Sequence, residues 1–105
     1  MITVRIFDKT GILYGFEVTG HSGSAPSGED IVCAAVSSAA YMTANTVTDI
    51  LGLETEALTG EALMRLKITD SRLNEAQTLL KGFEMHIAAL CGEYPKNIQM
   101  IKGVD

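Results

Sequence analysis

The first nineteen residues alternate between apolar and polar positions twice over, and that pattern commits the chain to open as a β-hairpin. Ile2, Val4 and Ile6 point one way while Thr3 and Arg5 point the other. After the turn Asp8-Lys9-Thr10-Gly11, the residues Ile12, Tyr14, Phe16 and Val18 resume the same period. A period of two marks a strand buried on one face, and a short polar turn containing glycine joins two such strands antiparallel. A sheet begun this way has one apolar face that needs cover and one polar face that does not.

Two helical segments supply the cover. Gly20 to Gly28 holds three glycines, three serines and a proline and reads as a loop. Ser27, Glu29 and Asp30 then offer capping and acidic groups to a helix running to about Leu51, stopped by Gly52. Glu54 to Leu58 and Ala62 to Ile68 form a second hairpin around Thr59-Gly60-Glu61, with Met64, Leu66 and Ile68 facing inward. Asp70 or Ser71 caps a second helix with Leu73, Ala76, Leu80, Phe83, Ile87 and Leu90 on its apolar side, ended by Gly92. Ile98 to Ile101 closes the chain as a strand. The order ββαββαβ predicts one α+β domain over residues 1–105, a two-layer sandwich with both helices on one face of a mixed or antiparallel sheet.

The bulk numbers narrow the function. A chain of 105 residues that is 47 % hydrophobic has enough apolar material for one core. A formal charge of −5 disfavours direct nucleic-acid binding, which needs cations to neutralise phosphate. No apolar run approaches the roughly 18 residues of a membrane span. The opening Met-Ile-Thr-Val-Arg-Ile-Phe lacks the features of a signal peptide, so a cytoplasmic protein with two free thiols is expected and no membrane association.

One stretch carries chemistry. Gly20-His21 is followed by Gly28-Glu29-Asp30-Ile31-Val32-Cys33-Ala34-Ala35-Val36-Ser37, which sets a cysteine in the first turns of a helix twelve residues after a histidine. A thiol becomes a nucleophile when its proton is easily lost, and a helix start and a neighbouring imidazole both favour that loss. At about 100° per residue, Ile31, Val32, Ala35, Val36, Ala39, Thr43, Thr46 and Ile50 fall in an arc of roughly 140°, the expected buried face. Cys33 lies about 110° from its middle, sharing a flank with Asp30, Ser37 and Tyr41. The plain alternative is an inert small residue at a helix edge. Asp30 has two readings, orienting His21 or capping the helix, and Ser37 can bond within a site or to its own helix carbonyl. Cys91 and His86 have ordinary explanations in core packing and solvent contact. His21, Cys33, His86 and Cys91 lack the short spacings of a zinc site, and the glycine loop matches no phosphate or dinucleotide fingerprint, so no metal or cofactor is expected.

The pattern G-H…G-x-D-I-V-C-A-A-V-S resembles the ribosomal-processing cysteine protease family, called Prp, and the likeness extends along the whole chain. The resemblance implies that Cys33 is the nucleophile and His21 its general base, with Asp30 and Ser37 in supporting roles. Gly20, Ser22, Gly23 and Gly28 would belong to a flexible substrate loop. It further implies a homodimer whose substrate is an N-terminally extended large-subunit ribosomal protein. Family loops often carry an aromatic residue after the histidine, where this chain has Ser22, Ser24 and Pro26. Backbone N–H groups near Gly28 to Asp30 are the expected oxyanion donors. The competing readings are a non-catalytic, ribosome-associated peptide-binding module and a redox-sensing thiol domain.

Overall fold

A computed structural model describes residues 1–21 and 30–104. The elements follow the expected order: β1 (Ile2–Lys9), β2 (Ile12–Thr19), α1 (Ile31–Asn45), β3 (Thr55–Gly60), β4 (Leu63–Ile68), α2 (Gln77–Glu93) and β5 (Ile98–Gly103). The strands form one mixed sheet in the order β3-β4-β2-β1-β5. β5 runs parallel to β1, and every other pairing is antiparallel. Both helices lie on one face, over a core that joins Ile2, Val4, Ile6, Phe16 and Leu66 of the sheet to Val36 and Val47 of the first helical segment and to Leu80, Phe83 and Ile87 of α2. The rings of Phe16 and Phe83 meet at 4.5 Å between centroids, tying the central strand to α2.

The opposite face is polar, as the alternation requires, and it is ordered by a charge ladder. Glu17 stands between Arg5 and Arg65 in register on the flanking strands, at 3.7 Å from the first and hydrogen-bonded at 2.6 Å to the second. Opposite charges directly across a ladder stabilise the pairing modestly, and here the two arginines leave Glu17 only 8 % exposed.

Three local expectations are corrected. A bulge interrupts the first hairpin: Phe7 pairs with Gly15, but Asp8 pairs with Leu13. The extra residue shifts the pleat, so Leu13 rather than Tyr14 joins the core, and Tyr14 stacks on Phe7 across the outer face with centroids 5.5 Å apart. The Leu13 backbone, leaving the ladder here, is received by Gln77, whose amide accepts its N–H at 2.9 Å and donates to its carbonyl at 2.7 Å.

The first helix is rotated from the expected phase. Its buried residues are Val32, Val36, Ala40, Thr43 and Ala44, whereas Ile31 and Ile50 are 72 % and 78 % exposed. The small Ala40 and Ala44 lie in the buried row, so the face that packs into the core is not the one holding the most apolar residues. α1 continues as a wider π turn over Thr46–Ile50 before Gly52 adopts φ +64 and ends it. The whole segment of 20 residues is long and apolar enough, by length and composition, to cross a membrane, contrary to the sequence expectation. Its Val32-Val36-Ala40-Thr43-Val47 row nevertheless packs into the core, the place of a central helix in a two-layer fold.

Asp70 does not cap the second helix as expected. It joins the start of the α2 segment to the end of the α1 segment: its carboxylate accepts from the N–H of Glu54 and of Arg72 and from the Arg72 guanidinium. The bond from the Arg72 side chain is the main cause that holds the Asp70 carboxyl well below the usual carboxylate range, with the Glu54 N–H next. A carboxyl whose proton affinity falls on folding contributes stability that is fully present above its unfolded pKa. That contribution disappears as pH drops through the folded value. In chemical melts, native protein is therefore expected to lose its advantage over Asp70→Asn below about pH 4 and keep it at neutral pH. An advantage that does not change with pH would contradict the assignment.

Candidate active site

Asp30 is the N-cap of α1. Its backbone is extended, at φ −81 and ψ 112, and its side chain turns back over the helix start. Oδ1 accepts the N–H of Val32 at 2.8 Å and of Cys33 at 3.3 Å, two donors that a helix start leaves without intrahelical partners. Oδ2 accepts the thiol of Cys33 at 3.5 Å. The residue is 4 % exposed, so the carboxylate is shut in against the first turn. The capping role read for Asp30 is formed in this structure.

Cys33 is half-buried and packs against the core edge. The rotated phase of α1 brings it closer to the buried row than the sequence implied, within about 45° of its middle. It stands where that row gives way to Asp30, Ser37 and Tyr41, and this flank forms one wall of a cleft of about 350 Å³. Gly20 and His21, leaving the end of β2, line the same cleft. The structure thus brings together Gly20, His21, Asp30, Cys33 and Ser37. The other predicted site residues, Ser22, Gly23 and Gly28, lie outside the described residues, as do Ser24 and Pro26.

Gly20 explains how His21 reaches the cleft. β2 ends in register with β4, Thr19 opposite Leu63, and Gly20 then turns with φ +87. Its N–H is held by the Ala62 carbonyl at 3.0 Å, and an added Cβ would lie 2.4 Å from the Met1 carbonyl oxygen. Only glycine satisfies both demands. The His21 carbonyl in turn accepts from the Met1 amino group, and its side chain is exposed.

Part of the cleft escaped the sequence reading. Gly60, Ala62, Leu63 and Met64 of the second hairpin supply a further wall, together with Val18 of β2. The hairpin itself is legible, but its place beside β2 depends on long-range pairing between β2 and β4 that no local pattern reveals.

The second thiol differs in kind. Cys91 lies late in α2 against the core, and burial pushes its pKa up, which disfavours the thiolate. His86 is exposed on the same helix, and neither residue lines the cleft.

A thiol in the first turn of a helix and an imidazole lining the same cleft are the parts of a cysteine hydrolase. The chain belongs to the cysteine protease Prp family, whose profile matches residues 1–99. It is 28 % identical over 108 positions to the ribosomal processing cysteine protease Prp of Bacillus subtilis (strain 168), spanning 97 % of this chain and 96 % of that protein. The fold matches crystal structures of the essential ribosomal processing protease Prp from S. aureus. With a covalently linked product peptide the TM-score is 0.87 at 24 % identity, covering 97 % of this chain and 99 % of that one. With a substrate peptide it is 0.82 at 23 % identity, over the same shares. SMU.848 from Streptococcus mutans matches at TM-score 0.80 and 24 % identity, covering 100 % of this chain and 96 % of that one.

Proposed function

We propose that this chain is a cysteine endopeptidase that removes the N-terminal extension of a large-subunit ribosomal protein, with Cys33 as nucleophile and His21 as general base. The observation that carries the reading is that His21 and Cys33 line one cleft, His21 directly after the turn at Gly20 and Cys33 in the first turn of α1. The curated B. subtilis relative is a ribosomal processing cysteine protease, which supports the substrate class.

In the reaction, His21 takes the Cys33 proton and the sulfur attacks the scissile carbonyl carbon. The tetrahedral intermediate collapses to a thioester, and His21 returns the proton to the departing amine, the new N-terminus of the mature protein. Water, activated by the same imidazole, then releases the extension as a free acid. The expected oxyanion donors can be narrowed. The Val32 and Cys33 N–H groups are engaged by Asp30, and the Ala34 N–H bonds the Asp30 carbonyl, so these three are not free to serve the oxyanion.

Action in the cytoplasm and assembly as a homodimer belong to the same proposal, on the strength of the family resemblance. Exposed Ile31, Met42 and Ile50 along the first helix offer a second copy an apolar surface to cover. The test of substrate class pairs extended and mature forms of a large-subunit ribosomal protein with an unrelated unfolded protein such as casein. The expected result is one cut that releases the extension, with the mature form and casein intact. Equal digestion of all three would contradict the dedicated role, and binding of the extended form without any cut would favour the non-catalytic peptide-binding module.

A further inference from the structure

We infer that the Tyr41 hydroxyl is a substrate-binding group that holds the peptide backbone about four residues from the scissile bond, with Ser37 as the step between it and Cys33. The inference rests on the proposed reaction at Cys33 and adds the course that the substrate takes. Cys33, Ser37 and Tyr41 follow one another at spacings of four residues along α1, and all three line the cleft. Gly60, Ala62 and Leu63 line it from the second hairpin. A peptide with its scissile carbonyl at Cys33 that continues through this cleft along α1 passes Ser37 and then Tyr41.

Other hydroxyls of this helical segment are taken up by the helix itself. Thr43, Thr46 and Thr48 each donate to the carbonyl four residues earlier, at 2.8, 2.7 and 3.1 Å. Ser37 makes no such bond to Cys33, and among the described residues neither its hydroxyl nor that of Tyr41 has a hydrogen-bond partner. Both residues are exposed, Tyr41 at 53 %. Their hydroxyls face solvent in the free chain and can exchange it for peptide amides. The spacing suits that exchange. Four residues of helix rise about 6 Å, and two residues of extended peptide span about 6.6 Å. The polar groups of an extended chain face the same side at every second residue. Ser37 therefore meets the second residue from the cut, and Tyr41, about 12 Å from Cys33 along the axis, the fourth. Helical side chains lean alike toward the N-terminus, so their ends keep the order and spacing of the backbone.

Steady-state cleavage of an extended ribosomal-protein peptide by the native chain and by Tyr41→Phe tests this. The variant keeps the ring and removes only the hydroxyl of an exposed residue, so the fold is preserved. Its kcat/KM is expected to fall about fivefold, the scale of one peptide hydrogen bond. The loss should lie in KM with kcat unchanged, because the contact is made in the ground state and in the transition state alike. Two further peptides of the same length carry esters in place of both amides that flank the fourth residue, one peptide for each side of the cut. An ester has no N–H and is a weak acceptor. On the peptide whose ester falls along α1, native chain and Tyr41→Phe should cut at equal rates, since each change removes the same bond. On the other, their difference should persist. Native kinetics in Tyr41→Phe, a loss confined to kcat, or a loss of equal size on all three peptides would overturn the inference. Failure of the native chain to cut any of them would instead overturn the proposed function.

Discussion

Cys33→Ala is expected to remove peptide cleavage almost completely, lowering kcat/KM by about 10⁴-fold or more. The chemistry leaves no substitute. The cysteine sulfur forms the covalent bond that divides one difficult step into two, and an alanine methyl forms none. The fold should survive. Cys33 is only half-buried at the core edge, alanine is a strong helix former, and Cys33 gives its backbone N–H to the Asp30 Oδ1 cap, which alanine keeps. His21→Ala should fall by a similar order, because an exposed imidazole contributes nothing to the core while its proton transfer is used in both half-reactions. Cys91→Ala is the control, expected to keep its rate since that thiol is removed from the cleft. Steady-state rates on an extended ribosomal-protein peptide, with thermal melts of each variant, check all three. Retained cleavage by Cys33→Ala would contradict the assignment.

Gly20→Ala should produce the next largest effect, through geometry alone. The added Cβ meets the Met1 carbonyl oxygen at 2.4 Å, a contact with backbone that cannot be relieved by turning a side chain. The residue also sits at φ +87, which costs an L-residue about 1–2 kcal/mol by itself. Relief requires the chain to move just before His21 and to strain the bond from the Gly20 N–H to Ala62. A displacement of about 1 Å at a catalytic group costs on the order of a hundredfold in rate. The expected outcome is that loss in kcat/KM together with a lower melting temperature. Gly11→Ala, another left-handed glycine but with open space around its Cβ and far from the cleft, should cost stability without that loss of rate. Equal kinetics for the two variants would show that Gly20 does not set the histidine.

The order of elements was readable because each strand or helix carries its own period, and the two helices cover one face because the strands have one apolar side. What escaped the reading was set by partners distant in sequence. The bulge that exchanges Leu13 for Tyr14 in the core appears only when β2 is laid against β1. Helix phase failed for a related reason: Ile31 and Ile50 count as apolar in a wheel, yet tertiary packing leaves both exposed. The site was legible where its residues are neighbours in the chain, as with Asp30, Cys33 and Ser37. Its far wall, Gly60 to Met64, was not, because the β2–β4 pairing brings that hairpin in from more than forty residues beyond β2's start.

The thioester gives the most direct measurement. Native chain is mixed with an excess of extended ribosomal-protein peptide, quenched in acid within a single turnover, and mapped by mass spectrometry. The account predicts that the released extension, the acyl half of the cut bond, is found attached through its new C-terminal carbonyl to Cys33. Cleavage with the adduct on Cys91, or with none formed on Cys33 at any time, would contradict it.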